Sequence, residues 1–349
     1  MNPALDETAM DDLRDRLAAR AMTPLWDSLH QLVPAQPYRH YRPHLWRYDE
    51  ARSFLMEAAG LISAEQAERR VLILQNPDLA EPGSTTPTLY AGIQLVMPGE
   101  IAPAHRHSQS ALRFVLEGED AVTAVDGEEI AMRPGDLVLT PNWRWHDHAN
   151  ETSKPMLWLD GLDIPILRFF NAGFMERPNA KVTPRSRAAG DGRSMFGRGL
   201  LPADWQATEK ASPQVHYRYA DARAALMAVT RTELPDPCHG WRMRYINPAT
   251  GGPVLATITC YLRHMPAGFA SMPYRATDSR VFVATEGSGV ATIDGEKFPF
   301  AVNDVFVVPG WASVSIRADA ETILFEMSDR AVQEGLDLWR EDRARGGDA

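Results

Sequence analysis

The chain repeats itself, and the repeat limits the folds open to it. The sequence VDGE at residues 125–128 returns as IDGE at 293–296, and TPNW at 140–143 returns as VPGW at 308–311. Each pair is separated by 168 residues, a suitable length for one small domain. The chain is therefore predicted to contain two copies of one domain, joined by a linker at residues 176–210.

Three histidines in the first copy follow a recognisable spacing. Gly99 is followed by five residues and then His105 and His107, and Gly135 is followed further along by His146. Successive residues of a strand point to opposite faces, so His105 and His107 share one face and His146 can meet them from a neighbouring strand. A His-x-His pair alone is more often an ordinary surface or core pair, but here the third histidine and the glycine turns complete the two-part cupin signature. The spacing predicts a small β-barrel that holds one metal ion.

The two copies differ at this predicted metal site. The glutamate that usually completes the cupin ligand set is absent, since Ala111 stands in its place. Three neutral imidazoles leave about three coordination positions open for other molecules. In the second copy the three histidines are replaced by Pro273, Arg275 and Val314. The second barrel is therefore predicted to lack a metal and to have a structural or assembly role.

The predicted fold class is all-β dominated: a bicupin with two double-stranded β-helix (jelly-roll) barrels and peripheral α-helices. Apolar residues at helical spacing in 6–32, a capping box at 63–66 and a charged stretch at 330–345 predict these helices. The aromatic and basic stretch at 37–47 is interpreted as a pocket rim or a subunit contact. The domain limits are predicted as an N-terminal helical arm at 1–75, a metal-binding barrel at 76–175, a linker at 176–210, a metal-free barrel at 211–330 and a C-terminal helix at 331–349.

Composition narrows the function classes. The 349-residue chain has a net charge of −10 and a pI of about 5.5, which disfavours nucleic acid and anionic membranes as partners. No apolar run approaches the length of a membrane span, and the N-terminus has no basic region followed by an apolar stretch, so a cytoplasmic location is predicted. Cys238 and Cys260 show no metal-ligand spacing and are predicted to be reduced, buried thiols.

Over most of its length the chain resembles the gentisate 1,2-dioxygenases and their relatives that act on salicylates and 1-hydroxy-2-naphthoate. The motifs that carry the resemblance are PLW at 24–26, PHLW at 43–46, ERRV at 68–71, HRHSQ at 105–109, WHDH at 145–148 and DGLDIP at 160–165. This resemblance implies a bicupin ring-cleaving dioxygenase in which three histidines hold a non-haem Fe(II). It also implies an aromatic substrate with adjacent carboxylate and hydroxyl groups, cleavage between the carbons that carry them, and a homotetramer. The metal-free second barrel departs from those members that hold metal in both halves.

Two arginines are candidates for binding the substrate carboxylate, which needs a cationic partner in a partly dry site. Arg113 lies six residues beyond His107 on the following strand and resembles the carboxylate-binding arginine of the family. Arg69 resembles a second pocket arginine, although its neighbour Arg70 is an alternative. A surface salt bridge is the ordinary alternative for either side chain.

Five further residues are predicted to line the site. His148 lies two residues beyond His146 on the same strand face, so it is predicted to assist catalysis from beside the metal, with Asp160 orienting it. Tyr90, Gly92 and Gln94 alternate on the strand before the metal motif and are predicted to share the face that meets the substrate. Gly92 has no side chain, which would leave space for a substrate ring, and it is a candidate determinant of substrate choice.

Several functions remain open from the sequence. Gentisate is the first candidate substrate, because its second hydroxyl makes the ring electron-rich, and its product would be maleylpyruvate. Salicylate, 5-nitro or 5-halo salicylates and 1-hydroxy-2-naphthoate present the same chelating edge and are the alternative. A cupin isomerase or decarboxylase would normally keep the glutamate ligand. A metal-free sugar-binding or regulatory cupin would not explain the intact histidines.

Overall fold

A computed structural model describes residues 7–206 and 210–343, which fall into two units, residues 1–40 and 41–349. The first unit contains helices α1 (Glu7–Ala18) and α2 (Leu25–Leu32). Pro24 stands at the N-cap of α2, and the guanidinium of Arg14 contacts Asp27 at 2.7 Å. The helical prediction for this segment is therefore confirmed within the described residues.

The second unit consists mainly of strands. Its N-terminal part contains β1 (His44–Trp46), α3 (Tyr48–Leu61) and α4 (Ala64–Ala67). The first barrel region contains β2 (Val71–Ile73), β3 (Tyr90–Val96), β4 (Ile101–His107), β5 (Ala111–Glu117), β6 (Val122–Val125), β7 (Glu128–Ala131), β8 (Leu137–Thr140), β9 (His146–Ala149) and β10 (Met156–Leu162). The connection contains α5 (Ile164–Phe169), β11 (Met175–Glu176) and α6 (Asp191–Phe196).

The second half follows the same plan. Its elements are β12 (His216–Tyr217), α7 (Tyr219–Val229), β13 (Trp241–Arg244), β14 (Thr259–Met265), β15 (Tyr274–Ala276), β16 (Arg280–Glu286), β17 (Gly289–Ile293), β18 (Glu296–Phe300), β19 (Val305–Val308), β20 (Val314–Ala318), β21 (Thr322–Ser328), α8 (Arg330–Gly335) and β22 (Glu341–Arg343).

Each barrel is formed by two antiparallel sheets. In the first barrel the strand orders are β12-β8-β5-β10-β3-β2 and β11-β4-β9-β6-β7. In the second barrel they are β1-β19-β16-β21-β14-β13 and β18-β17-β20-β15-β22. The predicted bicupin fold is confirmed. No described helix is both long enough and apolar enough to cross a membrane.

The two halves exchange short strands. β1, from the N-terminal part, pairs with β19 of the second barrel, with Leu45 opposite Phe306. β12, from the start of the second half, pairs with β8 of the first barrel, with His216 opposite Val138. Each barrel therefore includes one short strand contributed by the other half of the chain. Within the stretch at 37–47, residues 44–46 form β1, and the role of the stretch as a pocket rim or a subunit contact stays a prediction.

Helix α3 connects the two barrels through buried and partly buried polar contacts. The backbone N–H of Tyr48, at the start of the helix, donates to Asp304 of the second barrel at 2.9 Å. The Tyr48 hydroxyl and the Arg52 guanidinium both donate to Glu117 of the first barrel, at 2.7 and 2.6 Å. One acidic residue of each barrel therefore accepts hydrogen bonds from the helix.

Helix α7 repeats this arrangement with the barrels reversed. The N–H of Tyr219 donates to Asp136 of the first barrel at 2.8 Å. The Tyr219 hydroxyl and Arg223 donate to Glu286 of the second barrel, at 2.5 and 2.8 Å. The two helices therefore form a crossed pair of connections between the barrels.

One hydrophobic core is shared by the two barrels. Leu112 and Phe114 on β5 belong to the same buried cluster as Val281 on β16 and Phe325 on β21. The rings of Phe114 and Phe325 stack with their centroids 4.0 Å apart. A second cluster, which includes Phe282 and Phe306, fills the second barrel itself. Because apolar side chains from both barrels leave water together, the shared core joins them in one folded body.

The C-terminal region differs from its prediction. The single helix predicted from residue 330 to 345 is wrong within the described residues, because α8 ends at Gly335 and β22 then pairs with β15. Asp337 has φ +58°, a left-handed conformation that cannot continue a helix. The rest of the predicted segment lies outside the described residues. Cys238 and Cys260 are buried and free, as predicted.

Candidate metal centre and active site

Strands β4 and β9 bring the three predicted ligands together. His105 and His146 are directly opposite each other in the ladder, and His107 lies two residues along β4 on the same face. One ring nitrogen from each histidine lies within 4.8 Å of the others, and this is the only such group of three histidine, cysteine or acidic residues among residues 7–206 and 210–343. The His105 and His146 ring centroids are 4.1 Å apart. The predicted triad is therefore assembled.

Two of the histidines are oriented by backbone carbonyls. Nδ1 of His107 lies 2.8 Å from the Gln109 carbonyl oxygen, and Nδ1 of His146 lies 2.9 Å from that of Arg144. A carbonyl oxygen only accepts, so each Nδ1 carries the proton and donates it. Nε2 is then left with the free lone pair, and Nε2 of His146 is buried without a hydrogen-bond partner among the described residues. This is the arrangement by which proteins fix the tautomer of a metal-binding histidine.

The third histidine lies against an arginine. Nη2 of Arg69 lies 2.6 Å from Nδ1 of His105 and 3.1 Å from its Nε2. The same Nη2 donates to the Pro103 carbonyl oxygen at 3.1 Å. Since a guanidinium only donates, one ring nitrogen of His105 accepts from Arg69, while its Nδ1 also lies 3.2 Å from the Pro103 carbonyl oxygen, to which an N–H can donate.

Electrostatics keep all three imidazoles neutral. Burial, with the nearby Arg69, lowers the pKa of His105 to about 2, and burial lowers that of His107 to about 4. Burial and the charge of Arg113 hold the pKa of His146 well below its usual value. Neutral imidazole is the form that binds a divalent metal ion, so the donor set fits a metal centre. Ala111 stands where other cupins have a glutamate ligand, and its methyl side chain supplies no metal donor, as the sequence indicated.

Arg113 and Asp160 form a buried pair beside the triad. They face each other across β5 and β10, with Nε of Arg113 3.6 Å from Asp160. Arg113 also donates to the Thr140 hydroxyl at 2.6 Å, and Asp160 accepts from the Trp158 indole at 2.9 Å. Burial lowers the pKa of Arg113 to about 10 and raises that of Asp160 to about 6. Nη1 of Arg113 is therefore engaged by Thr140, whereas its Nε makes only the 3.6 Å contact with Asp160, so part of the fork is available for an anionic ligand.

A cleft of about 1090 Å³ opens over His105 and His107. Arg69 lines one wall, and Ile164 and Leu167 of α5 line another. The cleft therefore offers a cationic group and apolar surface beside the metal ligands, as an aromatic acid requires.

Comparison with known proteins agrees with this site. A model of the cupin domain matches residues 92–162. The chain is 44% identical over 328 residues to gentisate 1,2 dioxygenase 1 of Aquipseudomonas alcaligenes, covering 94% of each chain. The chain belongs to the gentisate 1,2-dioxygenase family. It is also 35% identical to a 5-aminosalicylate 1,2-dioxygenase of a Comamonas species, covering 96% of this chain and 90% of that one.

Among solved structures, salicylate 1,2-dioxygenase from Pseudoaminobacter salicylatoxidans, in its adduct with gentisate, is similar with a TM-score of 0.91. The two chains are 34% identical, and the match covers 98% of this chain and 95% of that one. A salicylate 1,2-dioxygenase thus shares its fold with this member of the gentisate 1,2-dioxygenase family.

The family resemblance left open whether Arg69 or Arg70 faces the pocket. Arg69 lines the cleft and contacts His105. Arg70 is buried and donates to both oxygens of Glu100, at 2.8 and 3.0 Å. The Arg70 guanidinium is directed at Glu100 and does not line the cleft, so Arg69 is the pocket residue. The capping box of α4, formed by Ser63 and Gln66 as predicted, places this turn.

His148 has a different partner from the one expected. Its Nδ1 lies 2.8 Å from the Thr123 hydroxyl, and no hydrogen bond joins it to Asp160. The prediction that Asp160 orients His148 is therefore wrong. Neighbouring β6 supplies Thr123 directly opposite His148, whereas β10 directs Asp160 to Arg113. Nε2 of His148 is buried and has no hydrogen-bond partner among the described residues.

The three predicted residues of β3 lie together, but Gly92 does not leave open space. A Cβ at Gly92 would lie 2.7 Å from both the Tyr90 hydroxyl and Cγ1 of Val71. The Tyr90 side chain therefore fills the space beside Gly92 that was predicted for a substrate ring. Burial, together with the charge of Asp160, raises the pKa of Tyr90. Gln94 is buried opposite Trp158. The substrate roles of all three stay predictions.

Some site residues were missed. Arg106 lies between the rings of Trp143 and Trp145, 4.5 and 4.7 Å from their centroids, and so holds the loop that delivers His146. The cleft residues Gln109, Ile164, Leu167 and Phe174 were also missed. The motifs HRHSQ and DGLDIP contain two of these and were the available signal, but a sequence does not reveal which side chains turn towards the cleft.

Proposed function

We propose that this protein uses Fe(II) and dioxygen to cleave gentisate between the carbons that carry its carboxyl and hydroxyl groups, giving maleylpyruvate. One observation carries the proposal: three neutral histidines lie together, and two of them, His105 and His107, line a cleft that Arg69 also lines. Family membership supports the reaction class, and the A. alcaligenes relative named for gentisate supports this substrate. Both atoms of dioxygen enter the product, because the carboxyl-bearing carbon becomes a ketone and the hydroxyl-bearing carbon becomes a carboxylate.

Arg69 and Arg113 would bind the substrate. Arg69 lines the cleft, and Arg113 is buried, 3.6 Å from Asp160 and hydrogen-bonded to Thr140. A guanidinium fork matches the two oxygens of a carboxylate, and a charge-assisted hydrogen bond is stronger in a site shielded from water. Anchoring the carboxylate at Arg113 turns the adjacent hydroxyl towards His105 and His107.

His105, His107 and His146 would hold the iron. The chemistry that Fe(II) would supply there is the activation of dioxygen towards the electron-rich ring. His148 and Asp160 are proposed to assist separately. His148 has a free Nε2 near His146, with ring centroids 5.8 Å apart, and Asp160 steadies Arg113. Tyr90, Gly92 and Gln94 are proposed to support the substrate from β3.

Salicylate and its 5-substituted derivatives are the second candidate substrates, together with 1-hydroxy-2-naphthoate. The salicylate dioxygenase structure that matches this chain was solved as an adduct with gentisate, so that protein's fold accommodates both rings. The chain's membership of the gentisate 1,2-dioxygenase family disfavours other cupin chemistries, such as those of an isomerase or a decarboxylase. A homotetramer and a cytoplasmic location stay predictions, and light scattering of the purified protein would measure the assembly.

The test is oxygen uptake by protein loaded anaerobically with Fe(II), with gentisate, salicylate, 5-nitrosalicylate and 1-hydroxy-2-naphthoate in parallel. Product mass after turnover in ¹⁸O₂ should show two labelled oxygen atoms. Fastest uptake with gentisate would support the first proposal, and fastest uptake with a salicylate would support the second. An iron-loaded protein inactive with all four would overturn both. Loading with Mn(II) or Zn(II) provides the control for metal identity.

A further inference from the structure

Three arginines lie inside the second barrel. Arg242 is on β13, Arg263 on β14 and Arg280 on β16, and we call them the arginine cluster. Arg263 is 2% exposed and Arg280 1% exposed, and the Arg242 side chain is 12% exposed. Charged side chains are rarely buried unless a counter-charge accompanies them. The partners of this cluster therefore decide what the second barrel can bind.

The cluster lies at the level that the first barrel uses for Arg113 and Asp160. In the first barrel, Asp160 of β10 pairs with Arg113 of β5. In the second barrel, Glu326 of β21 lies directly opposite Phe282 of β16 in the strand ladder, as Asp160 lies opposite Arg113. The strand position of Asp160 is thus occupied by Glu326, at the matching place in a barrel without metal ligands.

Glu326 is the acidic partner of two of the arginines. It accepts from Nη2 of Arg242 at 2.7 Å and from Nε of Arg263 at 2.7 Å. Burial alone would raise the pKa of Glu326, but the three arginines hold it below its usual value, so this carboxylate is ionised. One negative charge then faces three positive charges.

Arg280 has no such partner. Its Nε, Nη1 and Nη2 are all buried and make no hydrogen bond to any described residue, and no ion pair joins it to a described carboxylate. The ring of Tyr274 lies 5.0 Å from its guanidinium carbon, which offers a π-face but no hydrogen-bond acceptor for the whole fork. Five buried N–H donors without acceptors are costly, and each additional acceptor would stabilise the fold.

The neighbouring acidic residues are already engaged. Asp278 accepts from the Ser328 hydroxyl and from the Trp339 indole at 2.9 Å. Asp329 accepts from Thr88 at 2.7 Å and from a backbone N–H at 2.8 Å. Neither carboxylate contacts Arg280. Neither of these two carboxylates therefore supplies a hydrogen-bond acceptor for the Arg280 fork.

We propose that the second barrel binds a small anion, of the size of a halide or formate, on the guanidinium of Arg280. Arg242 and Arg263 add to the positive potential there, which also excludes a metal cation. The rest of the interior is packed with rings, among them Phe282 and Phe306 with centroids 4.8 Å apart, which favours a small guest over an aromatic acid. The metal-free barrel thus has a binding role of the opposite charge from the first.

The test uses the full-length iron-loaded protein and bromide as the probe. Its thermal unfolding midpoint is measured with increasing bromide at constant ionic strength, with 2-(N-morpholino)ethanesulfonate, a bulky anion, as the replaced salt. Bromide should raise the midpoint saturably, by about 4 °C at 100 times its Kd. Crystals grown in the same bromide should show an anomalous-scattering peak beside Arg280.

Arg280→Met removes the proposed binding group and should abolish the bromide-dependent shift. The matched control is Arg231→Met, because Arg231 is exposed and lies outside the cluster, and this variant should keep the wild-type shift. In bromide-free buffer Arg280→Met should unfold at or above the wild-type midpoint, since it deletes an uncompensated charge.

Three results would overturn the proposal. These are an equal bromide shift in Arg280→Met and wild type, the absence of an anomalous peak in the second barrel, and a peak in crystals without any saturable shift in solution. If Arg280→Met fails to fold, the wild-type peak and the bromide response of Arg280→Lys decide, with loss of affinity expected in the lysine variant. None of these readouts depends on dioxygenase activity.

Discussion

The two barrels share a scaffold but carry opposite charge preferences at the same depth. The first contains three neutral histidines with the weakly paired Arg113 and Asp160. The second contains three arginines around Glu326, and Val314 stands where the first barrel has His146. The position of a residue in its strand decides whether its side chain points into the barrel. The chemistry of that side chain then decides whether the barrel binds a cation or an anion. A few substitutions at inward positions are therefore enough to turn a metal site into its electrostatic opposite.

The most direct way to break the comparison is His146→Ala in the first barrel. Iron affinity should fall by more than about 100-fold, because losing a group that only orients a ligand already costs 10–100-fold. Turnover should be lost with the iron. Iron content by plasma emission and oxygen uptake measure the two effects, with the exposed His30→Ala as control. Full iron and full rate in His146→Ala would remove it from the ligand set.

Arg113→Met tests whether the first barrel binds its substrate through charge. The KM for gentisate should rise by about tenfold or more, since a charge-assisted hydrogen bond contributes about 1.5–3 kcal/mol. Iron content should stay unchanged. Hydroquinone lacks the carboxylate, so its inhibition constant should be the same in both proteins. An unchanged KM would place the carboxylate elsewhere.

Asp163 and Asp329 occupy matching positions in the two halves and allow a pH comparison. Asp163 accepts from the N–H of Ser110 and from Thr257, and burial raises its pKa to about 6. Burial and the nearby Asp278 raise the pKa of Asp329 to about 7. A carboxyl with a raised pKa favours the folded state at low pH, and this contribution is lost as the pH rises from 3.8 to about 7 for Asp329.

Asp329→Asn keeps the shape of the protonated acid and should remove that loss. Relative to wild type, the variant should gain about 2 kcal/mol of stability between pH 5 and pH 8, measured by denaturant unfolding. Asp163→Asn should gain less, over a window that ends about one pH unit lower. Equal differences from wild type at every pH would contradict the raised pKa values.

The smallest effect is expected at the crossed helix contacts. Glu117→Gln and Glu286→Gln each weaken one tyrosine and one arginine contact, at carboxylates that are about a third exposed. Each should cost about 1 kcal/mol, because solvent screens such pairs. Unfolding midpoints that fall equally in the two variants would support the symmetry, and a change in only one would show that the helices are not equivalent.

Sequence patterns predicted the parts of this molecule that depend on local periodicity. The repeat at 168 residues and the alternation in β4 were sufficient for the two barrels and the His105–His107–His146 group. Partners chosen by tertiary packing were not predictable. The strands β1 and β12 are only two or three residues long, too short to show an alternation of apolar and polar residues. Thr123 rather than Asp160 contacts His148 because β6 lies beside β9, and a sequence does not show which strands are neighbours.

The exchange of β1 and β12 has a consequence for the history of the chain. Each half finishes the other half's sheet, so a cut in the linker would leave both barrels with an exposed edge. After duplication, such interlocking makes the halves mutually dependent. The second barrel could then lose its metal ligands without being discarded, because deleting it would dismantle the neighbour that performs the chemistry.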